Sequence, residues 1–88
     1  MLSLEYTSKF HRDLQRMEKR GKSKKKIKKI VYLLITKQKI PEHYRNHKLT
    51  GNYKDHWELH IENDWLLIYL KTKITIIFTR TGIHSDLF

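Results

Sequence analysis

Three histidines of this 88-residue chain lie in separate segments that can meet at one place. Histidine is the side chain whose unperturbed pKa, ~6.5, suits both acid and base work near neutral pH. Cleavage of RNA through its 2′-hydroxyl needs a base for the hydroxyl proton, an acid for the leaving 5′-oxygen and a cation or donor near the phosphate. His47, His60 and His84 each stand near a predicted turn or strand end, so they are candidates for such chemistry.

The remaining histidines do not indicate a metal site. His11 and His43 are interpreted as surface residues, the usual state of a polar side chain in a small basic protein. His56 and His60 are four positions apart on a predicted strand, which separates them by roughly 13 Å, too far to chelate one ion. No cysteine is present to add a thiolate ligand or a disulfide. We therefore predict neither a metal nor another cofactor.

Basic residues are concentrated in the first half of the chain. The formal charge is +10, and residues 1–50 carry a net +11 whereas residues 51–88 carry a net −1. A field of this sign favours a polyanion, with nucleic acid as the first candidate and an acidic protein or an anionic membrane surface as alternatives. The longest apolar run, residues 65–70, is too short to span a bilayer, and the first residues show no signal-peptide pattern. We expect a cytoplasmic protein without a membrane partner.

Periodicity predicts the elements that carry these residues. Residues 2–6 alternate with a period of two and predict a short strand. A first helix is capped at Thr7 or its neighbour and ends at Gly21, and a second helix begins at Ser23. The second helix ends before Pro41. Three further strands follow a polar loop, over residues 57–62, 65–70 and 74–80.

This order of elements predicts an α+β fold. Two N-terminal helices are expected to pack on one face of a small antiparallel sheet, in the order strand, helix, helix and strand meander. No linker or internal repeat interrupts the chain, so residues 1–88 are interpreted as a single domain.

A turn sets the predicted register of the sheet. If residues 63–64 form a two-residue turn, His60 lies opposite Leu67. The face of His60 then also holds Trp65, whereas Leu66 and the residues that alternate with it form the core. The first face carries aromatic and titratable groups, as an RNA-facing surface would.

Residue types alone predict a small basic domain that binds nucleic acid. The lysines that begin the second helix lie at the positive end of its dipole, where cations are mildly unfavourable, so they form either a solvated face or an RNA contact. These lysines are Lys24, Lys25, Lys26, Lys28 and Lys29. Trp57 and Trp65 are more typical of a core than of a base-stacking platform.

Three motifs, in order and at compatible spacing, resemble the YafQ-type toxins of the RelE/ParE superfamily. The segment YRNHKLTGNYK, residues 44–54, is similar to that family's Y-x-D/N-H-x-L-x-G-x-W/Y-K. The segment ELHIENDWLLIY, residues 58–69, resembles E/D-x-H-I/V-E-P-D-W-L-L-I-Y, and RTGIHSDLF, residues 80–88, resembles R-T-G-x-H-S-x-L-F. A weaker match over residues 9–21 fits the first helix, so the resemblance covers almost the whole chain.

This resemblance implies the RelE/ParE-like fold and a toxin of a type II toxin–antitoxin system. Such a toxin is an mRNA interferase, a metal-free endoribonuclease that cuts mRNA on the ribosome. The family's active-site residues carry over by position to His47, His60, Asp64, His84 and Phe88. Of these, His84 is expected to be the general acid, and His60, or Asp64 with it, the base.

The resemblance also implies the molecules that the chain binds. Arg80 is expected to balance phosphate charge, Trp65 and Phe88 to stack on a base, and the lysines of the second helix to hold ribosomal RNA. The expected partners are mRNA on the ribosome and an acidic antitoxin protein. Operator DNA is expected to be bound only through the antitoxin.

Two residues depart from the family pattern. Many relatives have arginine at the position of Trp57, and if that arginine stabilises the transition state, its loss predicts a weakened toxin. Asn63 replaces the usual proline, and asparagine suits a tight turn.

Other functions stay open on the sequence. A basic module that docks on RNA or the ribosome without cutting would keep its function in a His84→Ala variant. A toxin of the same superfamily that acts on DNA gyrase would generally lack the three histidines. A membrane-active second helix is opposed by the need for its apolar stripe in the core.

Overall fold

The computed structural model describes all residues from Met1 to Phe88. The regular elements are β1 (Ser3–Tyr6), α1 (Ser8–Lys19), α2 (Lys24–Ile35), β2 (His47–Lys48), β3 (Trp57–Glu62), β4 (Trp65–Lys71), β5 (Thr75–Gly82) and α3 (His84–Leu87). Two single turns of 3-10 helix, Glu42–Tyr44 and Gly51–Tyr53, lie on either side of β2. The predicted α+β fold is confirmed.

The five strands form one sheet in the order β1-β5-β4-β3-β2. The strands β2 to β5 pair antiparallel, as the sequence predicts. β1 instead runs parallel to β5, with Ser3 opposite Thr75 and Tyr6 opposite Phe78. The expectation of a purely antiparallel sheet is therefore wrong at this edge. A parallel pair needs a long connection, which both helices and three strands supply here.

Side-chain caps fix where both long helices begin. The Thr7 hydroxyl accepts a hydrogen bond from the Phe10 amide at 3.0 Å, and the Ser23 hydroxyl accepts one from the Lys25 amide at 3.2 Å. Both caps agree with the sequence prediction. Gly21, with a φ of 91°, follows α1 in the left-handed region that glycine favours. No helix has the length and apolar character needed to cross a membrane.

The helices cover one face of the sheet and enclose the main apolar cluster. Phe10 and Met17 of α1 and Ile30 of α2 are at most 3% exposed. The ring centroid of Phe10 lies 5.2 Å from that of Phe78 on β5. These contacts make the helix-covered face the main core of the molecule.

A β-bulge sets which side chains of β3 and β4 share a face. Glu62 pairs with Trp65, as a two-residue turn between them requires, but the register then shifts between His60 and Glu62. His60 consequently pairs with Leu66 and not with Leu67 as predicted. The predicted assignment of β4 side chains to the two faces is therefore wrong, because one extra residue in β3 inverts the alternation.

The bulge places the largest side chains of β4 in the main core. Trp65, Leu67 and Tyr69 lie on the helix-covered face and are at most 1% exposed. Leu66 and Ile68 lie on the opposite face, in a smaller cluster. This opposite face, called the open face below, is the one that carries the histidines of the sheet.

β2 and α3 are two short elements that the periodicity does not predict. β2 has two residues within a stretch interpreted as loop, and it pairs His47 with Glu58. α3 occupies the segment interpreted as a tail, and the Ile83 amide donates to the Asp86 carboxylate at 3.1 Å at its start. Segments of this length are too short for a period to appear in the sequence.

Candidate active site

The three candidate histidines come together at the open face. The ring centroids of His47 and His60 are 6.3 Å apart, and those of His60 and His84 are 5.9 Å apart. The side chains of His47 and His84 are about half exposed, whereas that of His60 is only 11% exposed. His60 therefore lies at the centre, between a β2 histidine and an α3 histidine that both reach solvent.

Glu58 lies between two of these histidines and is 5% exposed. Its Oε1 is 3.4 Å from Nε2 of His47 and 3.3 Å from Nε2 of His60. The sheet explains this contact, because Glu58 lies directly opposite His47 and two residues before His60 on the same face. One oxygen of a buried carboxylate thus lies within 3.4 Å of two imidazole rings.

Hydrogen-bond partners indicate which ring nitrogens carry protons. Nδ1 of His47 is 2.7 Å from the Arg45 carbonyl, and Nδ1 of His60 is 3.4 Å from the Asn63 carbonyl. A carbonyl only accepts, so each Nδ1 is the protonated nitrogen. In both rings Nε2 then faces the shared oxygen of Glu58.

His84 is paired with Asp64. Nδ1 of His84 is 2.7 Å from Oδ1 of Asp64, and the His84 amide donates to the same oxygen at 3.0 Å. The amide bond, with the ring bond second, lowers the pKa of Asp64, so this carboxylate is ionised at neutral pH. This contact orients the ring and leaves Nε2 of His84 free of protein partners.

The segment that carries His84 is held by side chains from two other elements. The Arg20 guanidinium donates to both carboxylate oxygens of Asp86, at 2.7 and 3.3 Å. The Tyr53 ring meets Phe88 edge-on, with 5.5 Å between centroids. Phe88 is 64% exposed, and its ring centroid lies 6.4 Å from that of His84. An exposed aromatic ring therefore stands beside the His84 imidazole.

Arg80 lies on the open face, on β5, opposite Ile68 of β4. Its Nε and Nη2 donate to the two carboxylate oxygens of Asp13, at 2.6 and 3.2 Å. The side-chain hydrogen bond with Asp13 raises the pKa of Arg80, and the Tyr53 hydroxyl nearby contributes in the same direction. A guanidinium has five N–H groups, so three remain for another ligand.

Asp13 of α1 accepts a hydrogen bond from β5 beyond the point where β1 ends. β1 pairs with β5 only as far as Phe78, and α1 begins at Ser8. Beyond Phe78, the Thr81 amide donates to the Asp13 carboxylate at 3.2 Å. Asp13 is 3% exposed, and its carboxylate therefore satisfies both the edge of β5 and the Arg80 guanidinium.

Both tryptophans lie on the helix-covered face. Trp65 is fully buried, and its Nε1 donates to the Thr81 hydroxyl at 2.9 Å. The expectation that Trp65 stacks on RNA is therefore wrong, because the bulge turns its side chain into the core. Trp57 pairs with Tyr69 and lies on the face opposite His47, so a cation at position 57 would not face the histidines. Trp57 thus takes the place of no cation on the face that carries the histidines.

Two of the five lysines that begin α2 form ion pairs. Nζ of Lys26 is 2.6 Å from Glu62, and Nζ of Lys24 is 3.6 Å from Glu18. Lys22, just before the helix, also contacts Glu62, at 2.5 Å. The lysines of the run without a carboxylate partner are Lys25, Lys28 and Lys29, all exposed. Pairing with acidic side chains therefore explains part of the run, and three cations stay free.

Three residues of this site were missed in the sequence. Glu58 precedes His60 by two positions in a strand, a spacing that places both on one face. Asp13 lies on the apolar stripe of α1, three residues after Phe10, and a carboxylate there requires a cationic partner. Tyr53 carries no such signal, because its contact with Phe88 depends on where α3 folds.

Comparison with known proteins shows a family for this chain and agrees with its fold. The model of the YafQ family, described as a bacterial toxin of type II toxin–antitoxin systems, matches residues 2–88. The mRNA interferase toxin YafQ of Escherichia coli strain K12 is 37% identical over 86 residues, which is 97% of this chain and 94% of that protein.

Two solved structures show the same architecture. The toxin chain in the crystal structure of the E. coli DinJ–YafQ complex is 36% identical, with a TM-score of 0.91 over 100% of this chain and 99% of that chain. A metal-bound toxin from Helicobacter pylori is 39% identical, with a TM-score of 0.93 over 100% of both chains. Similarity in sequence and in structure therefore extends over nearly the whole length.

Proposed function

The chain belongs to the YafQ family of bacterial toxins of type II toxin–antitoxin systems, and on that premise we propose that it is an mRNA interferase that cuts mRNA on the ribosome by histidine acid–base chemistry. Its E. coli relative is an mRNA interferase toxin. The observation that carries the proposal is the convergence of His47, His60 and His84 at one face, each beside a carboxylate.

The reaction begins with attack of a ribose 2′-oxygen on the adjacent phosphorus. The bond from phosphorus to the 5′-oxygen breaks, a base takes the 2′-hydroxyl proton, and an acid gives a proton to the 5′-oxygen. The products are a cyclic phosphate and a free 5′-hydroxyl. Two proton-transfer groups on opposite sides of a phosphate are therefore sufficient, and the open face offers them.

His84 is the general acid in this proposal. Asp64 Oδ1 lies 2.7 Å from Nδ1 and orients the ring, while the half-exposed side chain leaves Nε2 without a protein partner and free to donate. The low pKa of Asp64 makes that carboxylate a poor base at neutral pH, so Asp64 orients His84. The interpretation of Asp64 as a partner in the base is set aside for this reason.

His60, backed by Glu58, is the base. Its Nε2 is 3.3 Å from Glu58 Oε1, a contact long enough for the nitrogen to turn toward a substrate hydroxyl. Once Nε2 accepts the proton, Glu58 stabilises the cationic ring. His47 shares the same oxygen and is half exposed, so it contacts the RNA backbone beside the base.

Arg80, Phe88 and the α2 lysines bind the RNA. Arg80 keeps three N–H groups for phosphate oxygens after pairing with Asp13. Phe88 is exposed beside His84 and stacks on a base. Lys25, Lys28 and Lys29 contact ribosomal RNA, and the net charge of +10 suits an acidic antitoxin partner in the cytoplasm.

The test maps new mRNA 3′ ends in a reconstituted translation reaction, with and without ribosomes. We expect cuts in phase with codons in the presence of ribosomes and none on naked RNA. His84→Ala should lower the cleavage rate by about 10²- to 10⁴-fold, the usual contribution of a proton-transfer group. His11→Ala, which removes an exposed histidine on α1, should leave it unchanged.

Two further arms separate the alternatives. Addition of EDTA should not change the cleavage rate if the chemistry needs no metal. This control is included because a toxin from H. pylori that is similar to this chain has been crystallised with bound metal. Translation that stalls without new 3′ ends, equally in the wild type and in His84→Ala, would contradict cleavage and favour a docking module. Cuts that persist in His84→Ala would contradict the role given to that histidine.

A further inference from the structure

A second basic surface lies on the side of the sheet away from the histidines. A cavity of about 760 Å³ opens there, between the end of α2 and the β4–β5 turn. Its lining residues are Leu2, Lys37, Trp57, Lys71, Thr72 and Lys73. We call it the Trp57 cavity, because this half-buried indole is its one aromatic wall.

Three lysines line the Trp57 cavity. Lys37, Lys71 and Lys73 are exposed, and none of them forms an ion pair with a carboxylate. Lys48 is the cross-strand partner of Trp57 and adds a fourth exposed cation on the same face. The positive charge here thus surrounds an aromatic side chain. In the lysine run of α2, by contrast, Glu18 and Glu62 form ion pairs with two of the lysines.

Lys37 adopts a backbone conformation that lysine rarely adopts. Its φ is 57°, and its amide donates to the Leu34 carbonyl at 3.2 Å where α2 ends. Glycine is favoured at this position of a helix end, because a side chain there carries a conformational cost. Such costs concentrate at functional sites. Lys37, which occupies this position, is one of the residues that line the Trp57 cavity.

An indole surrounded by lysines is how proteins hold single-stranded nucleic acid without reading its sequence. A base stacks on the ring, and the phosphates on either side of it lie against the ammonium groups. An acidic peptide would use the lysines but would leave the indole without a stacking partner.

We infer that the Trp57 cavity binds one unpaired nucleotide of single-stranded RNA, with the base on Trp57 and its phosphates on Lys37, Lys71 and Lys73. Trp57 and the histidines lie on opposite faces of the sheet, so this RNA segment is distinct from the one that is cut. Binding at this site does not depend on the chemistry proposed for the open face, and it can be measured without cleavage.

A 2′-O-methylated oligoribonucleotide is the probe, because it lacks the 2′-hydroxyl nucleophile. Trp65 is fully buried, so a stacked base quenches the fluorescence of Trp57 only. We expect saturable quenching in the wild-type protein. Trp57→Leu removes the reporting indole, so binding of this variant is followed by the anisotropy of a labelled probe and should be about tenfold weaker, as removal of a stacking ring makes it. Trp57→Phe keeps a ring and the core packing and should bind within about threefold of wild type.

Removal of charge provides a second readout. Lys71→Gln/Lys73→Gln should reduce the slope of log affinity against log salt concentration by about 1.4, because each phosphate contact on a single strand contributes about 0.7. The matched control is Lys9→Gln/Lys19→Gln, which removes the same charge from exposed, unpaired positions on α1. Equal weakening by both double variants would overturn the site in favour of a general charge effect. Unchanged binding in folded Trp57→Leu would overturn it as well.

The RNA in the Trp57 cavity can be message or ribosomal RNA, and cross-linking distinguishes them. A photoreactive residue in place of Thr72 is exposed at the rim of the cavity. On ribosomes loaded with labelled mRNA, cross-links to either RNA support the site and identify its source. Cross-links to ribosomal protein alone would contradict it.

Discussion

The two faces of the sheet are built from the same three strands but hold different kinds of side chain. The helix-covered face presents Leu59, Leu67 and Phe78, all at most 1% exposed. The open face presents Glu58, His60 and Arg80 at neighbouring positions of the same strands. Alternation along a strand therefore lets one residue stabilise the fold while the next faces the candidate site.

We therefore expect stability and activity to respond to different substitutions. The larger apolar cluster lies on the helix-covered face, whereas the open face has a smaller cluster of Leu66, Ile68 and Leu87 beside its polar groups. The Asp13–Arg80 pair connects the two faces, because it reaches from α1 round the edge of β5.

The largest difference is expected between two phenylalanines, Phe78 of the helix-covered face and Phe88 beside His84. Phe78→Ala should lower the free energy of unfolding by about 3–5 kcal/mol, because it opens a cavity beside Phe10. Phe88→Ala should change it by less than about 0.5 kcal/mol, because that ring is exposed. Urea unfolding measures both. Cleavage should show the reverse order when each variant is assayed folded, and comparable losses of stability would contradict the separation.

Glu58→Gln tests whether the buried carboxylate of the open face acts through its two histidines. The amide keeps the size of the side chain but cannot stabilise a cationic ring, so we expect a loss of cleavage of about 10²-fold. The Michaelis constant should change little, and the pH dependence of the rate should change in shape. Glu5→Gln, on an exposed strand edge, is the matched control. A Glu58→Gln variant that folds and cuts at the wild-type rate would refute the role of Glu58.

Asp13→Asn tests the link between the faces. Asp13 acts on RNA only through Arg80, so Asp13→Asn should lower the cleavage rate about tenfold in the wild-type background and not further in an Arg80→Ala background. This coupling corresponds to about 1.4 kcal/mol. The four proteins of the cycle are assayed at a temperature where each is folded. Additive effects would mean that Asp13 only stabilises the fold.

Glu62→Gln should have the smallest effect, and one that depends on pH. Hydrogen bonds from Lys22 and Lys26 lower the pKa of Glu62 below its ordinary value of 4.5. Its contribution to stability is therefore complete above pH 4.5 and is lost as the pH falls through the lowered pKa. The variant should lose about 1 kcal/mol or less at pH 7 and almost nothing near pH 2, as urea unfolding can show. An equal loss at both pH values would contradict an electrostatic origin.

Most of the fold follows from local patterns in the sequence. The caps Thr7 and Ser23 and the apolar stripes of the helices determine α1 and α2, and the alternation of apolar and polar residues determines β3. The parallel pairing of β1 with β5 does not follow from such patterns, because it depends on contacts between residues 72 positions apart.

The candidate site was predictable in its residues but not in its geometry. His47, His60 and His84 follow from the family motifs, but the face of the sheet depends on one bulged residue before Glu62. Counting alternate residues to assign side chains to a face fails at a bulge, because a single extra residue moves the side chains that follow to the other face of the sheet. Trp65 was placed on the wrong face for this reason, and Glu58 gained its role from a two-residue strand that no periodicity reveals.

The parallel pairing of β1 with β5 also has a consequence for synthesis of the protein. β1 is made first, but its partner strand is translated only after 68 further residues separate Tyr6 from Thr75. Local helices can form earlier, whereas the sheet edge that carries Arg80, and α3 with His84, waits for the last strand. Arg80 and His84 can therefore be brought to the open face only when nearly the whole chain has been synthesised.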